Sequence, residues 1–159
     1  MKRIQILAEM PIGHILLFDH PGGQAPLLGP VERSDSCAVS FVEHGRFYLS
    51  QNRQEICFQP GDVLLSYPGT IHRFAHRKEC SDDLCLSIQF SCELVKEVVE
   101  EDVSGKPKLL ASGRTKFLAW QIRQAFDCGE SEGIESAVLD TLPALLLEAQ
   151  QWKALSCRE

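Results

Sequence analysis

The chain has 159 residues and a formal net charge of −6 at pH 7, with 44% hydrophobic and 24% charged residues. These values are typical of one globular domain with a buried core. They argue against direct binding to nucleic acid, which usually needs a basic face, and no apolar stretch is long enough to span a bilayer. Because no export signal is recognisable, we expect a cytoplasmic protein without a membrane partner.

The chain contains seven cysteines, an odd number, and no two of them form a CxxC pair. A disulfide framework would be unusual in a chain of this length without an export signal. We therefore expect free thiols in a reducing compartment.

The first half of the chain consists of short apolar runs separated by turn signals rich in Gly, Pro and Asn. Residues 24–30 hold two prolines and one glycine and are predicted to form a loop or an arm. Several short strands with regular turn signals indicate an all-β barrel or sandwich. The predicted strands cover residues 12–18, 37–42, 46–50, 55–58, 63–67, 71–76 and 84–90.

The second half has the periodicity of amphipathic helices. Leu118, Ile122, Ala125 and Phe126 fall at offsets of four, seven and eight, which places them on one face of a helix. The same spacing recurs from residue 134 to residue 149, with a kink expected at Pro143.

The resulting domain prediction is a barrel over residues 1–105 and a helical pair over residues 106–159. Helical periodicity does not say which surface covers the apolar face. Packing on the barrel itself and packing on a second copy of the chain therefore both stay open.

The segment from Pro60 to His72 carries the most specific signal. It reads Gly61-Asp62, an apolar strand, Pro68-Gly69, two further residues and then His72. Glycine allows the tight turn into the strand and the positive φ at the corner after it. This segment resembles the second conserved motif of the cupin superfamily. The resemblance implies a mainly β fold, a cupin (double-stranded β-helix, jelly-roll) barrel followed by two C-terminal α-helices.

The first cupin motif is where the sequence departs from the family. If Gly45 is the glycine of that motif, its ligand positions fall on Glu32, Ser34 and Ala38, so that His72 alone remains of four expected metal ligands. One neutral histidine does not hold a catalytic divalent ion, and we expect no metal, no cofactor and no catalytic residue. The candidates for a substitute site follow no recognisable ligand spacing: Glu32, Cys37 and His76.

The order of the parts resembles the sensor domain of AraC-type transcription regulators. In that family a metal-free cupin barrel precedes a strand that ends in an aromatic residue, here 86–90, and then two helices that form the dimer contact. The resemblance implies a small-molecule effector in the barrel and a homodimer through the C-terminal helices. DNA would be contacted only through a helix-turn-helix domain that these 159 residues do not include.

Two other functions stay open at this point. The chain could be a stand-alone cupin enzyme of the isomerase or lyase type that uses His72 with a carboxylate such as Glu32. It could also be an interaction protein with a fully packed barrel.

The candidate ligand-binding residues follow from strand parity. His72 offers one donor and one acceptor to a polar ligand, and Phe74 shares its face of the strand. Ser34 and Ser40 share a second face that small side chains leave open, and Tyr48 carries a hydroxyl that could reach the cavity. Each of these side chains has a plain packing role as the alternative.

Overall fold

The structure is a computed structural model that describes residues 3–20, 28–77, 82–98, 106–129, 133–140 and 145. Its helices are α1 (Cys92–Val98) and α2 (Gly113–Cys128), and residues 133–140 are also helical. Its strands are β1 (Arg3–Met10), β2 (Gly13–His20), β3 (Leu28–Arg33), β4 (Cys37–Gly45), β5 (Phe47–Gln51), β6 (Gln54–Phe58), β7 (Val63–Ser66), β8 (Ile71–Ala75), β9 (Asp83–Phe90) and β10 (Lys108–Leu109).

The strands form two antiparallel sheets that face each other. The six-stranded sheet has the order β1-β2-β9-β4-β7-β10, and the four-stranded sheet has the order β3-β8-β5-β6. The predicted mainly β architecture, followed by helices, is confirmed. The six-stranded sheet also contains β10, a strand that was not predicted from the sequence, which pairs with β7 through Lys108 and Leu109.

Side chains alternate between the two faces of the six-stranded sheet, as the period of a strand requires. On β4, Val39 and Phe41 are buried in the larger apolar core. Their neighbours Ala38 and Ser40 point to the opposite face and line a cavity. The same division runs through β9, where Ile88 belongs to the core and Ser87 to the cavity wall.

Helix α2 covers the apolar face of this sheet. Its Leu118 and Ile122 are buried in the same cluster as the core residues of β4 and β9. A bidentate ion pair between Arg123 on α2 and Glu43 on β4 adds a polar contact, with Nε 2.8 Å from Oε1. The helix begins at a capping box formed by Ser112 and Thr115. The buried face of α2 thus packs on the barrel of its own chain.

The loop predicted for residues 24–30 is wrong in its last part, because β3 begins at Leu28. Pro30 is tolerated there since β3 is the edge strand of the four-stranded sheet, where a missing backbone donor costs no ladder bond. The register of β3 against β8 shifts between Leu28 and Val31, around Gly29 and Pro30. The rest of the predicted loop and the kink at Pro143 lie outside the described residues.

Among the residues that the structure describes, Cys37, Cys57 and Cys128 are free thiols. No helix in the described part of the chain combines the length and the apolar character needed to cross a membrane.

Candidate functional site

A cavity of about 360 Å³ lies between the two sheets. This volume is within the usual range for small-molecule sites. Three carboxylates line it, those of Glu32, Asp35 and Asp83, against one guanidinium, that of Arg33. When histidines are counted as neutral, the formal charges of the side chains in the wall add up to −2.

Small polar side chains form much of the wall contributed by the six-stranded sheet. Ser40 on β4 donates a hydrogen bond from its Oγ to Oγ of Ser87 on β9, at 2.9 Å. Ser40 is directly opposite Ser87 in the register of these strands, which explains the contact. Residues of this size leave the interior open where larger apolar side chains would fill it.

Four of the five predicted ligand-binding residues line this cavity: His72, Phe74, Ser34 and Ser40. Tyr48 lies outside its wall. The guanidinium of Arg77 lies over the Tyr48 ring, 4.2 Å from its centroid, and the same guanidinium pairs with Glu55. A strand alternates faces, so Phe47 of β5 points into the cavity and its neighbour Tyr48 does not.

The Pro-Gly corner of the motif places His72. Gly69 has φ +80°, a conformation that favours glycine, and its N–H donates to the carbonyl of Ser34 at 2.8 Å. Ser34 N–H donates in turn to the carbonyl of Thr70 at 2.9 Å. These two bonds join the segment before β4 to the start of β8. Ser34 and His72 are thereby held side by side in the cavity wall.

The Gly-Asp part of the motif has a structural role. The Asp62 carboxylate is buried, and its Oδ2 lies 2.7 Å from Nζ of Lys108 on β10. The same oxygen accepts from the backbone N–H of Gln59 at 3.0 Å. Asp62 therefore ties the turn before β7 to the strand that leads into α2, away from the cavity.

His72 has two polar neighbours in the cavity wall. Its Nδ1 lies 3.4 Å from Oγ of Ser34, and its Nε2 lies 3.9 Å from Oε2 of Glu32. The Phe74 ring meets the imidazole edge-on, with centroids 4.8 Å apart. An imidazole in this setting can exchange either contact for a polar ligand.

At the other end, three ligating side chains converge: His20, His76 and Asp83. Nε2 of His76 lies 2.5 Å from Oδ1 of Asp83, and Nδ1 of His20 lies 3.0 Å from the same oxygen. Asp83 and His76 are buried, and the His20 side chain is 14% exposed. His20 ends β2, Asp83 begins β9, and the two are paired in the sheet.

Burial acts to raise the pKa of Asp83, but the contacts with His20 and His76 outweigh it and lower the pKa below its usual value. The carboxylate is thus kept ionised inside the protein. Gly45 is opposite Asp83 in the sheet, with φ +77°, and a Cβ there would lie 1.9 Å from the carbonyl oxygen of Asp82. Only glycine fits where β4 passes this end of β9.

The residues at the usual cupin metal position do not fit a metal ion. Ala38 offers no donor atom, and Ser34 offers a neutral hydroxyl in place of an imidazole. Glu32 and His72 are the remaining pair, and two ligands fall short of the three that an open catalytic site uses.

Two residues of the second cluster, His20 and Asp83, carry no signal in the sequence, and His76 appears there only as a candidate for a substitute site. His76 shares the parity of His72 and Phe74, which indicates the same face. His20 and Asp83 are brought together by the pairing of β2 with β9 across 63 positions. Ligand spacing along the chain carries no signal for such a pair.

No protein-family model matches this chain, and neither does the sequence of any curated protein. Among solved structures, the chain is similar to a cupin superfamily protein from Desulfitobacterium hafniense, at 22% identity over 57% of this chain and 77% of the other, with a TM-score of 0.47.

It is also similar to a cupin-2 domain protein from Shewanella frigidimarina, at 18% identity over 56% of this chain and 80% of the other, with a TM-score of 0.46. A cupin 2 conserved barrel domain protein from Salinispora arenicola gives 17% identity, coverages of 60% and 81%, and a TM-score of 0.46. Similarities at this level concern the fold, and nothing about a ligand or an activity follows from them.

Proposed function

We propose that this chain is the small-molecule-sensing and dimerisation domain of an AraC-type transcription regulator that acts in the cytoplasm. The observation that carries the proposal is the cavity, whose wall combines serines with His72 and Phe74. A barrel built only for packing would fill this space with apolar side chains. DNA would be bound by a domain outside this sequence.

The surface of α2 supports the dimerisation part of the proposal. Phe117 and Trp120 on this helix, and Leu110 in the segment before it, are more than half exposed, at 55%, 56% and 63%. The rings of Phe117 and Trp120 lie next to each other, with centroids 5.8 Å apart. Grouped apolar side chains on a surface mark an interface more often than a solvated face. Since Leu118 and Ile122 of α2 pack on the barrel, the exposed Phe117 and Trp120 are the part of this helix proposed to contact a second copy.

The sensing part is tested by thermal unfolding of the purified chain with a panel of small metabolites, such as sugars and aromatic acids. A ligand at a hundred times its Kd stabilises the folded state by about 2.7 kcal/mol. Ser40→Leu fills the cavity and should abolish the shift, whereas Ser50→Leu on the exposed side of β5 should keep it. A ligand that stabilises both variants equally binds elsewhere and contradicts the proposal.

The dimerisation part is tested by light scattering during gel filtration. Trp120→Ser should convert the dimer to a monomer. Ile71→Ser is the matched control. Ile71 is also apolar and exposed, at 61%, but it lies on β8 in the four-stranded sheet, so this variant should stay dimeric. A wild-type chain that is monomeric at every concentration would remove this part of the proposal.

A stand-alone enzyme of the isomerase or lyase type is the second candidate. The contact between His72 and Glu32 favours it, since an imidazole and a carboxylate in one cavity wall can move protons on a bound substrate. If the protein converts one of the stabilising metabolites, and His72→Ala stops the conversion without loss of binding, the enzymatic function is favoured over the sensor function.

A further inference from the structure

We propose that His20, His76 and Asp83 bind a divalent transition-metal ion inside the barrel. The three donor atoms, two imidazole nitrogens and one carboxylate oxygen, all lie within 4.8 Å of one another. A single ion about 2.0–2.2 Å from each donor can occupy the space among atoms at such separations after small side-chain rotations. All three residues line the cavity, so an ion there would face its interior.

The state of His20 points to a ligand at this place. Its Nδ1 is buried and has no hydrogen-bond partner among the described residues. It lies 3.0 Å from Oδ1 of Asp83, within the distance of an ion pair. Buried polar atoms are nearly always satisfied, and an unsatisfied one often marks an ion or water site. A metal ion bound beside Asp83 would give this nitrogen the partner that it lacks.

The charges of the cavity favour a cation. The wall sums to −2, from three carboxylates against Arg33, and one of those carboxylates is the buried Asp83. A divalent ion would neutralise this excess and would replace the two close histidine contacts of Asp83 with coordination bonds.

The proposed metal position differs from the usual cupin metal position. His72 and His76 point into the same cavity from β8 and its end, with Phe74 between them. Four residues of extended strand separate their backbones by about 13 Å. The ion would therefore lie at the end of the cavity formed by His20 of β2 and Asp83 of β9, away from Glu32 and Ser34.

The donor set indicates the class of metal. Two imidazoles and one carboxylate suit zinc and the divalent ions of iron, cobalt and nickel better than magnesium or calcium, which prefer oxygen donors. Three protein ligands leave coordination positions open toward the cavity. In the proposed sensor these positions would take the oxygen donors of a chelating effector. That use rests on the proposed function, whereas binding of the metal does not.

The test is a titration of the full, chelator-treated chain with Co²⁺, followed by its visible absorption, and with Zn²⁺ by calorimetry. We expect one ion per chain. His20→Ala should weaken binding at least about tenfold, because changes even outside the ligand shell of metal sites cost 10–100-fold. His44→Ala is the matched control: His44 forms an exposed pair with Asp82 at 3.2 Å, and its loss should change affinity by less than about twofold.

Asp83→Asn removes the charge and keeps the shape of the side chain, and it should also weaken binding at least about tenfold. Circular dichroism in chelator shows whether each variant is folded, and His20, the most exposed of the three, is the safer position. Absence of saturable Co²⁺ binding by the wild type, or equal binding by wild type and His20→Ala, would overturn the metal site. Either result leaves the sensor proposal to its own test with metal-free protein and metabolites.

Discussion

The two faces of the six-stranded sheet are made from the same strands but have different compositions. The face under α2 carries Val39, Phe41 and Ile88, all at most 3% exposed and packed in one apolar cluster. The face toward the cavity carries Ser40 and Ser87, which bond to each other beside open space. Alternation along each strand thus lets one sheet supply a dry core on one side and a binding wall on the other.

Adjacent positions of a strand therefore have different roles: one contributes to stability through the core, and the next lines the cavity and can contribute to binding. A substitution at a core position removes buried apolar area and leaves a cavity. A substitution at the next position changes the wall and leaves the core packing intact. Neighbouring pairs such as Ser87 and Ile88 therefore allow the two properties to be tested separately.

The largest effect is expected from Ile88→Ala. Ile88 is fully buried, and truncation of such a residue costs about 2–5 kcal/mol. We expect a loss near the upper part of that range in urea denaturation, with metal affinity in the folded variant changed less than about twofold. A large loss of affinity in a folded Ile88→Ala protein would show that the two faces are not separable.

An effect of about 2–3 kcal/mol is expected at alkaline pH from Cys37, also on the core face. Burial raises the pKa of its thiol from 9.0 to about 11. Between these values the unfolded chain loses the proton while the folded chain keeps it, so stability is complete below pH 9 and falls as the pH rises to 11.

Denaturation series at pH 8 to 11 on wild type and Cys37→Ala measure this effect, and the variant should lose less stability over the range. Burial, and then the charge of Cys37, raise the pKa of Tyr67 to about 12. Because burial acts on Tyr67 in both proteins, titration of this tyrosine lowers the stability of both at the alkaline end of the series. Identical slopes for the two proteins would contradict the assignment.

The smallest effect on stability is expected from Ser87→Ala, which removes one hydrogen bond worth about 1 kcal/mol. Its consequence should appear in binding, because the hydroxyl faces the cavity. We expect a changed affinity for any metabolite found by thermal unfolding. A loss of stability as large as that of Ile88→Ala would place Ser87 in the core of the fold.

The strands between Cys37 and Phe90 were predictable because Gly, Pro or Asn marks most of the connections between them, and a mainly polar run precedes β9. β3 was missed because its Pro30 and Gly29 resemble a loop, and only its position at a sheet edge makes them acceptable. β10 was missed since it has only two residues, Lys108 and Leu109, which is too short for periodicity to show.

The candidate site was predictable where it follows from parity on one strand. His72 and Phe74 share a face of β8, and the serines share a face of the segment that leads into β4. The cluster of His20, His76 and Asp83 depends on which strands pair, and the register of β2 against β9 is a property of the whole sheet. For Tyr48 no strand parity was assigned, and the cavity lining includes its neighbour Phe47 instead.

The most direct measurement is an anomalous difference map from crystals grown with Zn²⁺, recorded at the zinc edge. We propose that the cavity holds a metal ion and that the ion lies among His20, His76 and Asp83. We expect one strong peak in the barrel, about 2.0–2.2 Å from two imidazole nitrogens and a carboxylate oxygen. A peak beside His72 and Glu32, or no peak inside the barrel, would contradict it.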